Sequence, residues 1–169
     1  MDRYKHTLGV VKMAKLLAKR YTVYPKKAMI AAYLHDICKY DSHEIVASLI
    51  RPEDIKECVQ YPVLYHSYAA AELYLKEFGD DLDIYHAIRN HVFGRLYMSQ
   101  LEEILLISDY TEENRTYPNC ILCREILLAG NLNKAIYKST ECTIEFLKTK
   151  NLEPHPLQIE VLKYYEGKC

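Results

Sequence analysis

The chain predicts an all-α fold in one domain, on three observations. Nearly every segment repeats its apolar residues with helical period, and no stretch alternates as a strand would. Prolines, glycines and short polar residues punctuate those segments where helices start and stop. The 169 residues contain no repeat, low-complexity tract or linker, so residues 1–169 read as a single unit. Half of them are hydrophobic, enough for a packed core that buries roughly 70 % of the unfolded surface.

Taken in order, Asp2 can cap a first helix whose apolar stripe runs Val10, Met13, Ala14 and Leu17. Pro25 suits the first turn of a second helix, predicted to run through Cys38. Ser42 begins a third, Pro52 opens a short fourth, and Pro62 starts a longer helix that ends near Gly79. Further helices are predicted over Asp83–Val92, Ser99–Glu112, Asn119–Ala129, Asn131–Lys150 and Pro156–Tyr165, with Gly94 and Gly130 as stop signals.

Composition narrows the class. A formal net charge of −1 argues against a dedicated nucleic-acid or membrane-surface binder, so affinity for phosphate must come from a few placed cations. The apolar run Ile104–Ile107 is far too short to span a membrane. The six cysteines, Cys38, Cys58, Cys120, Cys123, Cys142 and Cys169, show no framework spacing, and no secretory signal precedes them. They read as reduced thiols of a cytoplasmic protein. Cys120 and Cys123 form one CxxC without a second half, too little for a zinc site.

Chemistry concentrates at His35-Asp36, where a buried-looking helical run abruptly carries an imidazole and a carboxylate side by side. A metal ion accepts both donor types and offsets the cost of burying the charge. The seven histidines then sort by what lies three and four residues away. His6 shares the stripe of Val10, Met13 and Leu17; His35 follows Ala31 and Ala32; His66 precedes Ala69, Ala70 and Leu73; His91 follows Ala87 and Ile88. These four point inward from different helices. His86 and His155 read as surface or structural residues, and His43 sits at a helix start. Asp109, after Ile104-Leu-Leu-Ile-Ser108, adds a carboxylate on a buried face. Singly, each histidine fits an ordinary core role; together the set points to a metal centre.

The order His6, His35-Asp36, His66, His91, Asp109 resembles the HD-domain superfamily, specifically its six-ligand, two-metal branch. Arg3-Tyr-Lys-His6-Thr-Leu-Gly9, His35-Asp-Ile-Cys-Lys39, Ile88-Arg-Asn-His91-Val-Phe-Gly-Arg95, Met98-Ser99 and Ser108-Asp-Tyr-Thr-Glu-Glu-Asn-Arg115 together resemble the YqeK family. Its members are described as symmetrical diadenosine tetraphosphate hydrolases. Thr143-Ile-Glu-Phe-Leu and His155-Pro156 extend the similarity over essentially the whole chain. Thr111-Glu-Glu113 departs from the family's usual Ile-Glu-Pro, a loop change expected not to touch the ligands.

The resemblance implies a single HD-domain helical bundle. His6, His35, Asp36 and Asp109 would hold one metal, His66 and His91 a second, with Asp36 bridging. It also implies two divalent or mixed-valence ions, iron with manganese or cobalt as substitutes, a small-molecule nucleotide substrate and a homodimer. Such a pair can lower the pKa of a bridging water and present it as hydroxide to phosphorus. Asp36 and Lys39 are then the catalytic candidates, Lys39 because it shares the helix face of His35 and Asp36. Arg3, Lys39, Arg89 and Arg95 are the candidate substrate-binding cations, with Arg115 and Arg124 weaker ones. Among the sixteen tyrosines, Tyr65, Tyr68, Tyr97 and Tyr110 lie near motif positions, but none is assigned to a base. Three rival readings stay open. One is an HD-type di-iron oxygenase, which oxygen consumption would reveal. Another is a nucleotide-sensing binding module with little turnover; a hydrolase of another phosphate ester or anhydride is a third.

Overall fold

Ten α-helices and one 3₁₀ turn carry residues 2–169, the part that the computed structural model describes. They are α1 (Arg3–Arg20), α2 (Pro25–Leu34), α3 (His43–Leu49), the 3₁₀ turn Pro52–Asp54, α4 (Ile55–Gln60), α5 (Leu64–Glu77), α6 (Leu82–Asn90), α7 (Gln100–Thr111), α8 (Pro118–Leu128), α9 (Leu132–Thr149) and α10 (Pro156–Glu166). No strand occurs among the described residues, in agreement with the all-α expectation.

Local chemistry sets most of the boundaries. The Asp2 carboxylate accepts from the Tyr4 and Lys5 amides, and the Ser42 hydroxyl accepts from Ile45. Ser99 and Glu102 form a reciprocal capping box at the start of α7. Gly94 and Gly130 adopt φ of +71° and +100°, a left-handed conformation that suits glycine where a helix must stop. Two boundaries differ from expectation. Pro62 forms a turn ahead of α5, which starts at Leu64. The second helix stops at Leu34 rather than Cys38, because the backbone tightens into i→i+3 turns. Ile37 N–H donates to Leu34 and Lys39 N–H to Asp36, and the Asp36 carbonyl also accepts from Arg3 Nη2 at 2.8 Å.

The site-bearing part is a bundle in which α1 packs on α2 and α7, and α6 packs on α2, α5 and α7. Alanines 28, 31, 32, 69, 70, 71 and 87 are buried at these crossings and let the backbones approach closely. Leu17, Ile88, Ile104 and Leu105 fill the space between them. The helices α8 and α10 pack on α9, which lies against α7, and the same hydrophobic cluster extends through Leu127, Ile136 and Val161 to Tyr165. Among the described residues, no helix is long and apolar enough to cross a membrane. All six cysteines are unpaired.

Candidate metal centre

The ends of α2 and α6, the first turns of α1 and α5 and the last turn of α7 converge on one buried point. His6, His35, Asp36, His66 and His91 are buried there, and Asp109 is partly so. Asp36 stands at the middle with its two oxygens facing opposite ways. Its Oδ2 lies 3.4 Å from His35 Nε2 and 3.9 Å from His6 Nε2. Its Oδ1 lies 2.9 Å from His66 Nε2 and 3.5 Å from His91 Nε2. Asp109 Oδ1 completes the first nest, 3.1 Å from His6 Nε2 and 3.9 Å from His35 Nε2. Thus the six residues form two nests that share one carboxylate.

The outer contacts of the histidines define which nitrogen faces inward. His35 Nδ1 donates to the Ala32 carbonyl and His91 Nδ1 to the Ile88 carbonyl, both at 2.7 Å. His6 Nδ1 donates to Glu112 Oε1 at 3.2 Å. A carbonyl or carboxylate oxygen only accepts, so Nδ1 of each ring carries a proton and Nε2 is the nitrogen left to face the centre, where a metal ligand must offer a lone pair. The interior is therefore a set of electron-rich atoms facing one another. His35 Nε2 is buried with no hydrogen-bond partner at all. A divalent cation between such atoms resolves the mismatch, and oriented imidazoles with shared carboxylates are a fitting donor set. His6, His35 and Asp109, and His35, Asp36 and His91, each bring three ligand atoms within 4.8 Å of one another.

The electrostatics agree with this donor set. Burial would raise the Asp36 pKa, but the imidazoles of His35, His66 and His91 around it hold it far below the carboxylate range. Burial also opposes ionisation of Asp109, and His6 and Arg115 outweigh it. For His66, burial pushes the pKa down to about 4, helped by His91 and Lys39, so the ring is neutral near pH 7. For His6, burial works against the proton, yet Asp109 and Glu112 raise its pKa. The two carboxylates are thus kept ionised, the form in which they can ligate a metal.

Two of the cations read from the sequence stand at its edge. Arg3 Nη2 lies 2.9 Å from Asp36 Oδ2, with its guanidinium 4.7 Å from the centre of the Tyr40 ring. Lys39 Nζ lies 3.2 Å from both Asp36 Oδ1 and His66 Nε2. Arg89 and Arg95, the other two candidate substrate contacts, are not brought to the ligands and pair with other carboxylates. The Arg89 guanidinium is held by Asp54 at 2.6 Å and stacks on Tyr68 at 3.7 Å. Arg95 makes a forked pair with buried Glu102, at 2.7 and 2.8 Å. Their donors serve internal carboxylates, as the opposite helical face of Arg89 from His91 foreshadows.

Two contributors carried little or no sequence signal. Arg115 Nη2 grips Asp109 Oδ1 at 2.6 Å. Glu112, fully buried, holds His6 and also accepts from the Asn114 amide and side chain at 2.7 and 2.8 Å. Space for it comes from Gly9, where an added Cβ would collide with Glu112 Oε2. In Thr111-Glu-Glu113 only the middle residue touches a candidate ligand, and that glutamate is common to the family pattern. Thr111 instead donates to the Ile107 carbonyl, and Glu113 pairs with Lys12 on the surface. His155, though buried, is structural: it caps α10, bonds Glu57 and stacks on Phe93.

Comparison with known proteins gives a consistent result. The HD domain family model matches residues 3–114. The symmetrical bis(5'-nucleosyl)-tetraphosphatase of Bacillus subtilis (strain 168) is 38% identical over 157 residues, covering 91% of this chain and 84% of that protein. The protein of the same name from Staphylococcus aureus (strain NCTC 8325 / PS 47) is 32% identical over 167 residues, covering 96% and 86%. The crystal structure of a predicted HD superfamily hydrolase involved in NAD metabolism from Clostridium acetobutylicum superposes with a TM-score of 0.88 at 34% identity, covering 100% of this chain and 91% of that one.

Proposed function

The chain belongs to the HD-domain family and, within it, to the symmetrical bis(5'-nucleosyl)-tetraphosphatases, and from that premise we propose that it hydrolyses dinucleoside polyphosphates, diadenosine tetraphosphate foremost, to two ADP. The observation that carries this reading is Asp36, which turns one oxygen to each of two histidine nests. His6, His35, Asp36 and Asp109 would hold one ion; Asp36, His66 and His91 would hold the other. Bound there, the pair supplies Lewis acidity towards phosphoryl oxygens and a water of lowered pKa.

The chain's own residues do the rest. Asp36 stays ionised and commits its lone pairs to both nests, so bridging suits it better than general-base work. Lys39 and Arg3 extend N–H donors at the edge of the cluster, where they would bind and orient phosphate oxygens. Asp109 is kept in place by Arg115, and His6 by Glu112.

We take the resident metal to be iron, with manganese or cobalt able to replace it; a mixed histidine and carboxylate set suits all three. The whole chain is proposed to act as one domain, since the core runs on from the family-matched part to Tyr165. A homodimer follows from the family reading, and a cytoplasmic setting is supported by the unpaired thiols. The net charge of −1 supports a small nucleotide over nucleic acid as substrate.

The test is product analysis by anion exchange after incubation with diadenosine tetraphosphate and Fe²⁺, Mn²⁺ or Co²⁺, beside a His66→Ala variant. ADP as sole product, lost in the variant, is expected. AMP with ATP would overturn symmetric cleavage, and no turnover with any of the metals would overturn the hydrolase.

A further inference from the structure

The metal centre opens on one side into a cleft that the ligand set does not explain. A narrow pocket bounded by His91, Asp109, Tyr110 and Thr143 leads from the centre towards α8 and α9. A wider one of about 540 Å³ has Tyr110 and Thr143 as walls in common with it and lies among Arg115, Tyr117, Pro118 and Phe146. That volume is in the range of small-ligand sites, which combine apolar walls with a few placed polar groups. Tyr117, at the N-cap of α8, is 69% exposed and Phe146, on α9, is 59% exposed. Two accessible aromatic faces thus border the same cleft, with Asn119 and Thr143 as polar groups at its edge.

Arg115 lines the wider pocket and is paired with the candidate ligand Asp109. One of its terminal nitrogens holds Asp109, while its Nε is buried and has no hydrogen-bond partner. A buried guanidinium N–H without an acceptor is costly, and an anionic oxygen arriving from the cleft would satisfy it. Outward from the centre the order is therefore metal ligands, unsatisfied guanidinium, then aromatic walls. A nucleotide has the same order: the reacting phosphate, a neighbouring phosphate, then the base.

We propose that this cleft is a nucleobase subsite. Tyr117 and Phe146 stack on the purine of one half of the substrate, and Arg115 Nε–H donates to the adjoining phosphate. This rests on the hydrolase reading above for the orientation of the substrate, but not for the affinity of the cleft for a base. Every aromatic face can stack on a base, so selectivity for purine over no base is the property at issue.

The test is calorimetric binding of ADP and of inorganic pyrophosphate to Mn²⁺-loaded protein, for wild type, Tyr117→Ala and Phe146→Ala. Both side chains are largely exposed, so the fold should survive their removal. Each substitution is expected to weaken ADP binding about ten-fold or more while pyrophosphate binding changes less than two-fold. Arg115→Lys keeps a cation but removes Nε, and should weaken both ligands. ADP affinity within two-fold of wild type in both aromatic variants would overturn the subsite, as would equal losses for ADP and pyrophosphate. A shift from dimer to monomer in sedimentation with ADP affinity unchanged would overturn it too, and would make this face an interface. If wild-type protein fails to cleave diadenosine tetraphosphate, the hydrolase reading falls, and the ADP comparison still decides the subsite.

Discussion

His6 keeps its Nε2 lone pair for the centre only while Glu112 holds the proton on Nδ1. Groups that orient a ligating imidazole contribute about 10–100-fold to metal affinity. Glu112→Ala, which removes the acceptor, is therefore expected to lower Mn²⁺ affinity by about that factor in calorimetry, with the far-ultraviolet spectrum unchanged; equal affinity would show that His6 is positioned without it. Gly9→Ala should act in the same direction, since its Cβ would displace a carboxylate that Asn114 and His6 hold in place. The cations divide just as sharply. Lys39 reaches the ligand atoms, so Lys39→Ala should reduce kcat/KM on the order of 10²-fold with little change in Tm. Arg89 is buried against Asp54 and Tyr68, so Arg89→Ala removes the nearer of the two cations on Asp54, leaving Arg51 at 3.3 Å, and should cost about 1–3 kcal/mol of stability. Chemical denaturation and steady-state kinetics on the two variants would separate these roles, and a reversal of the pattern would contradict the geometry.

At the scale of elements, the corners between helices hold the ligands in register. Glu102 at the start of α7 closes the capping box with Ser99, binds Arg95, and accepts from Asn90 at the end of α6 at 2.7 Å. One buried carboxylate thereby ties the segment that follows His91 to the helix that carries Asp109. Asp81 plays a comparable part at the other end of α6. It caps the helix through the Asp83 amide at 3.0 Å and pairs with Lys27 of α2 at 2.7 Å. Asp81→Ala should cost about 1 kcal/mol, most of it the cap, because the ion pair is partly exposed and screened. Lys27 depresses the Asp81 pKa below its usual value. The contribution is thus present above the unfolded carboxylate pKa near 4 and is lost as pH falls through the lower folded value. Denaturation midpoints of wild type and variant should differ at neutral pH and converge in acid; a gap that widens in acid would refute the linkage.

Across the whole molecule, the candidate ligands come from α1, α5, α7 and the ends of α2 and α6, so a bound ion cross-links elements far apart in sequence. With metal at 100 times its dissociation constant, binding stabilises the fold by about 2.7 kcal/mol, or roughly 5–10 °C in Tm for a chain of this size. Chelation should lower the melting temperature by that amount in scanning fluorimetry, and His66→Ala should show a smaller drop; melting that ignores chelator would count against the centre. By itself the sequence determined the helical class, most helix starts, and the inward face of His6, His35, His66, His91 and Asp109. Those properties are local: caps act within a turn, and a face is set by spacing of 3.6 residues. Only the tertiary structure decided that Asp36 divides its oxygens between two nests, that Glu112 and Arg115 support them, and that Arg89 and Arg95 turn to Asp54 and Glu102. A long charged side chain on a helix end reaches several partners at equal intrinsic cost. Which one it takes depends on where distant helices have set the opposing charge, and no spacing along the chain records that distance.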